Sequence, residues 1–372
     1  MNDNDNHNND DEKLSKRFYL LNTCAAIILL AAIFVSISQF GETAWRTNNK
    51  IALILPGERE KVGWDSIHYK ALTAVCKDSD NELTIKENIL PDYDECDEVV
   101  RELSKAGVVM INFANGIPLS DLKKFEVKYP RVSFYTIENI SALNSSGRYI
   151  ILSFEGSYLA GILAGLRTKT GKVGYIAPFS GPEINLEINA FTLGVQRVNP
   201  DAEILLNRTG SWDNAANEER AVQILRANDV DILIFRQNGD FIPNAAERTG
   251  IKFISYNGSY PTYDKYLASI KIDWTAVYTD LIKYEKTGSG GNSAGGIDEG
   301  IVRFEPTKNL SLREKVLIET ATREIEDGRI IFGGDIFDMN GVKRCSAGEA
   351  ISFRSLESSM NWLIKGVRIV GN

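Results

Sequence analysis

The chain has 372 residues, 43% of them apolar and 25% charged, which is enough to bury a sizeable core and to form two lobes of ordinary size. Its formal net charge is −8, with no long Lys/Arg block in the body. That argues against nucleic acid as a partner, because phosphate binding needs a concentrated basic face. The only histidines are His7 and His68 and no C-x-x-C pair exists, so a His/Cys metal site is not expected, and neither is a cofactor.

Residues 1–17, "MNDNDNHNNDDEKLSKR", are almost wholly polar and are expected to form a disordered cytoplasmic tail. The next stretch, "FYLLNTCAAIILLAAIFVSISQF" (18–40), carries no charged side chain. At about 1.5 Å per residue it can cross a hydrocarbon core of about 30 Å. Lys13, Lys16 and Arg17 at its front edge place the tail in the cytoplasm and the body, from about residue 41, outside it. Ser36 and Ser38 leave a removable signal peptide open beside the uncleaved anchor. Cys24 precedes the apolar stretch instead of ending it, so it is not positioned for lipidation.

The body alternates short β-branched runs with amphipathic stretches. Strands are predicted at 51–55, 108–113, 132–137, 172–177, 203–207, 231–235, 252–256 and 267–272. Helices are predicted at 64–77, 94–106, 119–128, 156–169, 183–198, 214–227 and 274–285. Strand, helix and strand repeated in this way give parallel sheets covered by helices on both faces. Two such sheets fit, one within about 50–153 and one within about 154–272, each completed by returning segments. The run "SGGNSAGG" (289–296) lacks the phosphate-loop pattern and is expected to be a surface loop. Cys76 and Cys96 stand 20 residues apart as either free thiols or a bridge, and Cys345 has no partner.

In open parallel sheets, ligands bind beyond the carboxyl ends of the strands. The residues in those places are Trp64 and Asp65 after the first strand, Asn115 after the second, and Glu138 after the third. Further on come Trp212 in "GSWDN" and Gln237 and Gly239 in "RQNGD". Asn257 follows strand 252–256, and Lys271 lies near the end of strand 267–272. Aromatics, amides, acids and one lysine can sandwich a flat ring and bond its edge and hydroxyls, whereas they lack the base and nucleophile of an enzyme. His68, a full helical turn beyond Trp64, reads as a surface or packing residue. Each candidate also has a local reading: Trp64 and Trp212 as core, Asn257 with Gly258 as a turn, Glu138 as a helix cap, Lys271 as a solvated edge residue.

"FEGSYLAGILAGLRTKTGKVGYIA" (154–177) closely resembles the signature of the BMP (basic membrane protein) family of bacterial solute-binding lipoproteins, which includes purine nucleoside receptors of ABC importers. "GSWDN" (210–214), "VDILIFRQNGD" (230–240), "LASIKIDWTAVY" (267–278), "EIEDGRI" (324–330) and "MNWLIKGV" (360–367) follow in the family's order. The resemblance implies an α/β type I periplasmic-binding fold, two Rossmann-like lobes joined by a hinge, with a nucleoside-like ligand between them and an ABC permease as partner. It puts Trp64 and Asp65 on the ring-stacking aromatic and the amide of the family's first loop, and Glu138 on the acid that reads the base edge. Asn257 and Lys271 fall on the acid and lysine that hold ribose hydroxyls. Three departures stand out: "PGEREK" (56–61) replaces an acidic first loop, "QNG" (237–239) replaces "AGG", and the ribose acid is an amide. With the cytoplasmic tail, these changes keep open a second role as a membrane-anchored sensor that retains the receptor fold.

Overall fold

The computed structural model describes residues 49–60, 63–136, 149–287 and 293–371. The tail at 1–17, the apolar segment at 18–40 and Glu138 lie outside them. Among the described residues no helix is long and apolar enough to cross a membrane.

The first sheet has the order β2-β1-β3-β4, all parallel, built from β1 (Lys50–Ile54), β2 (Glu82–Lys86), β3 (Met110–Phe113) and β4 (Ser133–Thr136). Side chains alternate across it. Ile51 and Leu53 face α1 (Trp64–Asp78), whereas Ala52 and Ile54 face α2 (Tyr93–Lys105) and α3 (Leu119–Lys128). The side chain of Asp92 caps α2 by accepting from the backbone N–H of Asp94 and Glu95, and Gly107, at φ 84°, follows its C-terminus. Cys76 and Cys96 belong to cores on opposite faces of this sheet, and both are free thiols, as is Cys345.

The second sheet has the order β12-β10-β9-β8-β6-β7-β15. Its parallel members are β6 (Lys172–Ala177), β7 (Glu203–Arg208), β8 (Ile232–Phe235), β9 (Lys252–Tyr256), β10 (Tyr266–Ile272) and β15 (Val367–Ile369). The antiparallel edge strand β12 (Val302–Pro306) pairs with β10. One face carries α4 (Ser153–Arg167) and α5 (Pro182–Val198), the other α6 (Ala215–Ala227) and α7 (Phe241–Thr249). The glycines of the 154–177 signature have a packing purpose here. A Cβ on Gly161 would lie 2.1 Å from the Phe191 carbonyl oxygen, and one on Gly194 would lie 2.1 Å from that of Tyr158. The two helix backbones therefore meet where no larger residue fits.

The chain passes between the layers of the first sheet (lobe 1) and those of the second (lobe 2) three times. After β10 it returns to lobe 1 as α8 (Trp274–Thr287), which packs on α1. It then crosses back through β11 (Ser293–Gly295), which pairs in parallel with β5 (Tyr149–Ile151) of the first crossing. Residues 293–295, expected within a surface loop, are therefore a strand, because the first crossing offers them a partner. The second crossing, at Asp273, is tied to the third by the N–H of Asp273 donating to the carbonyl of Ile301, 2.8 Å. The rest of lobe 2 comprises α9 (Leu312–Glu326), the hairpin of β13 (Ile336–Phe337) and β14 (Lys343–Cys345), and α10 (Phe353–Ser359).

Candidate functional site

The carboxyl ends of both sheets meet at one place. Gly63, the residue before α1, has φ 119°, and a Cβ built on it would lie 3.5 Å from the Gly239 nitrogen and 3.6 Å from the Asn238 Cβ. The loop after β1 in lobe 1 therefore lies against the loop after β8 in lobe 2. Glycine is favoured here by its positive φ, since the approach of the opposite loop would by itself leave a Cβ in ordinary contact.

On the lobe 1 side, the half-buried Trp64 donates its indole N–H to the Ala114 carbonyl at 2.7 Å, which pins the ring to the end of β3. Its edge meets His68, with ring centroids 4.2 Å apart, and Trp274 of α8 at 5.6 Å. His68 is fully buried, and its Nδ1 lies 2.9 Å from the Tyr278 hydroxyl. Burial pushes its pKa down to about 3, so the imidazole is neutral and serves packing. Asp65 accepts from the Gly57 N–H at 3.2 Å and so shapes the first loop. The Asn115 amide donates to the carbonyls of Ile89 and Leu90 and to Cys96 Sγ, which fixes the loop before α2.

On the lobe 2 side, Trp212 is 41% and Phe179 is 45% exposed, and their rings meet edge to face with centroids 6.4 Å apart. Trp212 is therefore no core residue. Its carbonyl accepts from the Asn238 N–H at 2.9 Å, which joins the loops after β7 and β8. Gln237 is buried between them, donating to Thr209 Oγ1 at 3.0 Å and accepting from the Arg236 N–H at 3.2 Å. Gly239, at φ 83°, is held by its carbonyl, which accepts from the Tyr260 hydroxyl at 3.3 Å.

Two candidates make local bonds at the carboxyl ends of β9 and β10. Asn257, at φ 57°, accepts from the Ile272 N–H through its side-chain oxygen at 3.0 Å, clasping the ends of β9 and β10. Lys271 pairs with Glu305 of the edge strand at 3.2 Å, beside Arg303. Arg236, the cation next to the cleft, is paired: it lies 3.0 Å from Glu187 and over the Tyr256 ring at 3.8 Å. Burial opposes its charge, and Glu187 with Tyr256 more than offsets that opposition.

The structure brings together Trp64, Trp212, Gln237 and Gly239 about the interlobe contact, with Asp65 shaping its rim. It turns the side-chain bonds of Asn115, Asn257 and Lys271 toward their own lobes. Phe179, which packs against Trp212, and Trp274, which packs against Trp64 and His68, are two further aromatics the candidate set omits. Phe179 stands two residues past strand 172–177 and Trp274 two residues past strand 267–272, so the same strand-end rule finds both.

A family model described as "ABC transporter substrate-binding protein PnrA-like" matches residues 48–331. A purine-binding protein of Brucella abortus is 26% identical over 325 residues, covering 86% of this chain and 92% of that protein. Among solved structures, a transcriptional activator of the comK gene from Bacillus halodurans superposes with a TM-score of 0.64 at 19% identity, over 75% of this chain and 98% of that one. An ABC transporter solute-binding protein from Aeropyrum pernix does so with a TM-score of 0.64 at 17% identity, over 75% and 91%.

Proposed function

The chain belongs to the Bmp family of PnrA-like ABC transporter substrate-binding proteins, and from that premise we propose that it is an extracytoplasmic receptor for a purine or purine nucleoside, tethered by residues 18–40 and delivering its ligand to an ABC permease. The carrying observation is the apposition of Gly63 to Asn238 and Gly239, with Trp64 on one side and the exposed Trp212 and Phe179 on the other. Partly exposed aromatic faces at the meeting of two carboxyl edges suit a flat ring, which closure would shield from water. The purine-binding relative, which the chain matches over most of its length, supports the same ligand class. No reaction is part of this reading.

Calorimetric titration of the purified protein with adenine, adenosine, guanosine, inosine and glucose tests it. Saturable binding of at least one purine compound, with glucose silent, is the expected result. Silence of every purine at millimolar concentration would remove the ligand class. Binding without any dependence of cellular uptake on the protein would transfer the reading to a sensor.

A further inference from the structure

The partly buried arginines of lobe 2 are treated unequally. Arg167 is bonded to Glu314, Arg197 to Glu324 and Arg236 to Glu187. Arg208 has no carboxylate partner among the described residues. Among the described residues the one hydrogen bond of its guanidinium is from Nη2 to the side-chain oxygen of Asn185, at 3.5 Å, and its Nε is buried without a partner there. Asn185 is itself buried, and its own amide nitrogen donates to the Met360 carbonyl at 3.0 Å. Burial pulls the Arg208 pKa down, and no neighbouring charge pulls it back.

The position of this unpaired cation ties it to the cleft. Arg208 is the last residue of β7, opposite Ala177 of β6, so it stands on the carboxyl edge of the sheet. Two residues before it in the alternation, Leu206 and Ile204 face the α4/α5 side, and Arg208 follows them toward the first turn of α5. Its chain neighbours lead into Trp212, whose carbonyl binds Asn238 at the interlobe contact, and Phe179 lies in the loop between Ala177 and that first turn. A half-buried guanidinium without a counter-charge is unfavourable, whereas a planar fork of N–H donors beside a ring-binding surface matches a carboxylate or phosphate oxyanion.

The geometry points to Arg208 as a specificity residue for an acidic ligand: a heterocycle bearing a carboxylate or phosphate whose oxyanion pairs with this guanidinium. This rests on the proposed purine-type site, and it narrows the ligand from neutral nucleosides to anionic heterocycles.

The test titrates the full chain with two matched pairs, adenosine against adenosine 5′-monophosphate and purine against purine-6-carboxylate. In the wild-type protein, one acidic member is expected to bind at least about tenfold tighter than its neutral counterpart, on the scale of a charge-assisted bidentate pair; which pair shows it distinguishes phosphate from carboxylate. Arg208→Gln is expected to bring that ratio to within about twofold of unity, and Arg208→Lys to retain only part of it. Equal or tighter binding of the neutral members overturns the acidic ligand and leaves the purine site standing. An acidic preference that survives Arg208→Gln overturns the residue assignment. If Arg208→Gln does not fold, full retention of the preference in Arg208→Lys overturns it instead. Failure of all four compounds to bind overturns this inference, and silence of guanosine and inosine as well removes the purine site with it.

Discussion

Gly161→Ala is expected to destabilise the protein, although alanine is the better helix former. The added methyl would lie 2.1 Å from the Phe191 carbonyl oxygen and 2.9 Å from the Val195 nitrogen, both rigid backbone atoms. Ordinary contact begins at 3.4 Å, so α4 and α5 must move apart by more than 1 Å along a shared buried face. Overpacking of a close-packed core costs about 1–3 kcal/mol, and rigid partners put this site at the upper end. The intrinsic preference for alanine returns roughly 1 kcal/mol. A net loss of about 2 kcal/mol follows, read as a lower urea midpoint at unchanged slope. Gly194 lies on the facing helix, where its Cβ would be 3.1 Å from the Gly161 Cα. One separation of the helices accommodates both methyls, so Gly161→Ala with Gly194→Ala should lose less than the sum of the single changes. An unchanged or raised midpoint for Gly161→Ala would refute the close crossing.

Trp64→Ala should weaken binding of a purine ligand by about 1–3 kcal/mol through lost ring contact, measured by calorimetry. An equal affinity in a strongly destabilised variant would make Trp64 a packing residue of the His68 and Trp274 cluster alone. Glu314 is held down to about 2, first by the Arg167 guanidinium bonded to it and then by the Ser311 cap, against partial burial. A depressed carboxyl contributes stability that is present above its unfolded pKa, near 4.5, and is lost as the pH falls from there toward 2. Glu314→Gln should therefore cost about 1–3 kcal/mol at pH 7 and narrow its gap from the wild type below pH 4, in urea melts taken across that range. A gap that does not change with pH would sever the link to this ion pair.

The central strands were legible because they are buried on both faces: β1, β3, β6, β8 and β9 read as short continuous apolar runs. The edges were not. In β2, Glu82 and Lys86 flank three partly exposed residues, and β12 alternates Val302, Arg303, Phe304 and Glu305, so neither offers a run. The helix α9 did carry a signal that went unread, since Ser311 and Glu314 form a capping box. At the site, the strand-end rule located Trp64 and Trp212, because it depends only on where strands stop. It could not tell that Asn115, Asn257 and Lys271 bond within their own lobes, because that depends on partners distant in sequence: Leu90, Ile272 and Glu305. Arg208 was invisible for the same reason, as an arginine is notable only once its missing partner is known.

The order in which the chain supplies its parts bears on when each lobe can be completed. Lobe 1 lacks α8 until residues 274–287 exist, and the second sheet lacks its last strand, β15, until residues 367–369 pair with β7. Neither layer can be finished from a nascent N-terminal half, and such long-range pairings form slowly. Export of the body, as proposed above, would require it to stay unfolded while it passes. Here the interleaved topology puts the last element of lobe 1 at residues 274–287 and the last strand of the second sheet at 367–369.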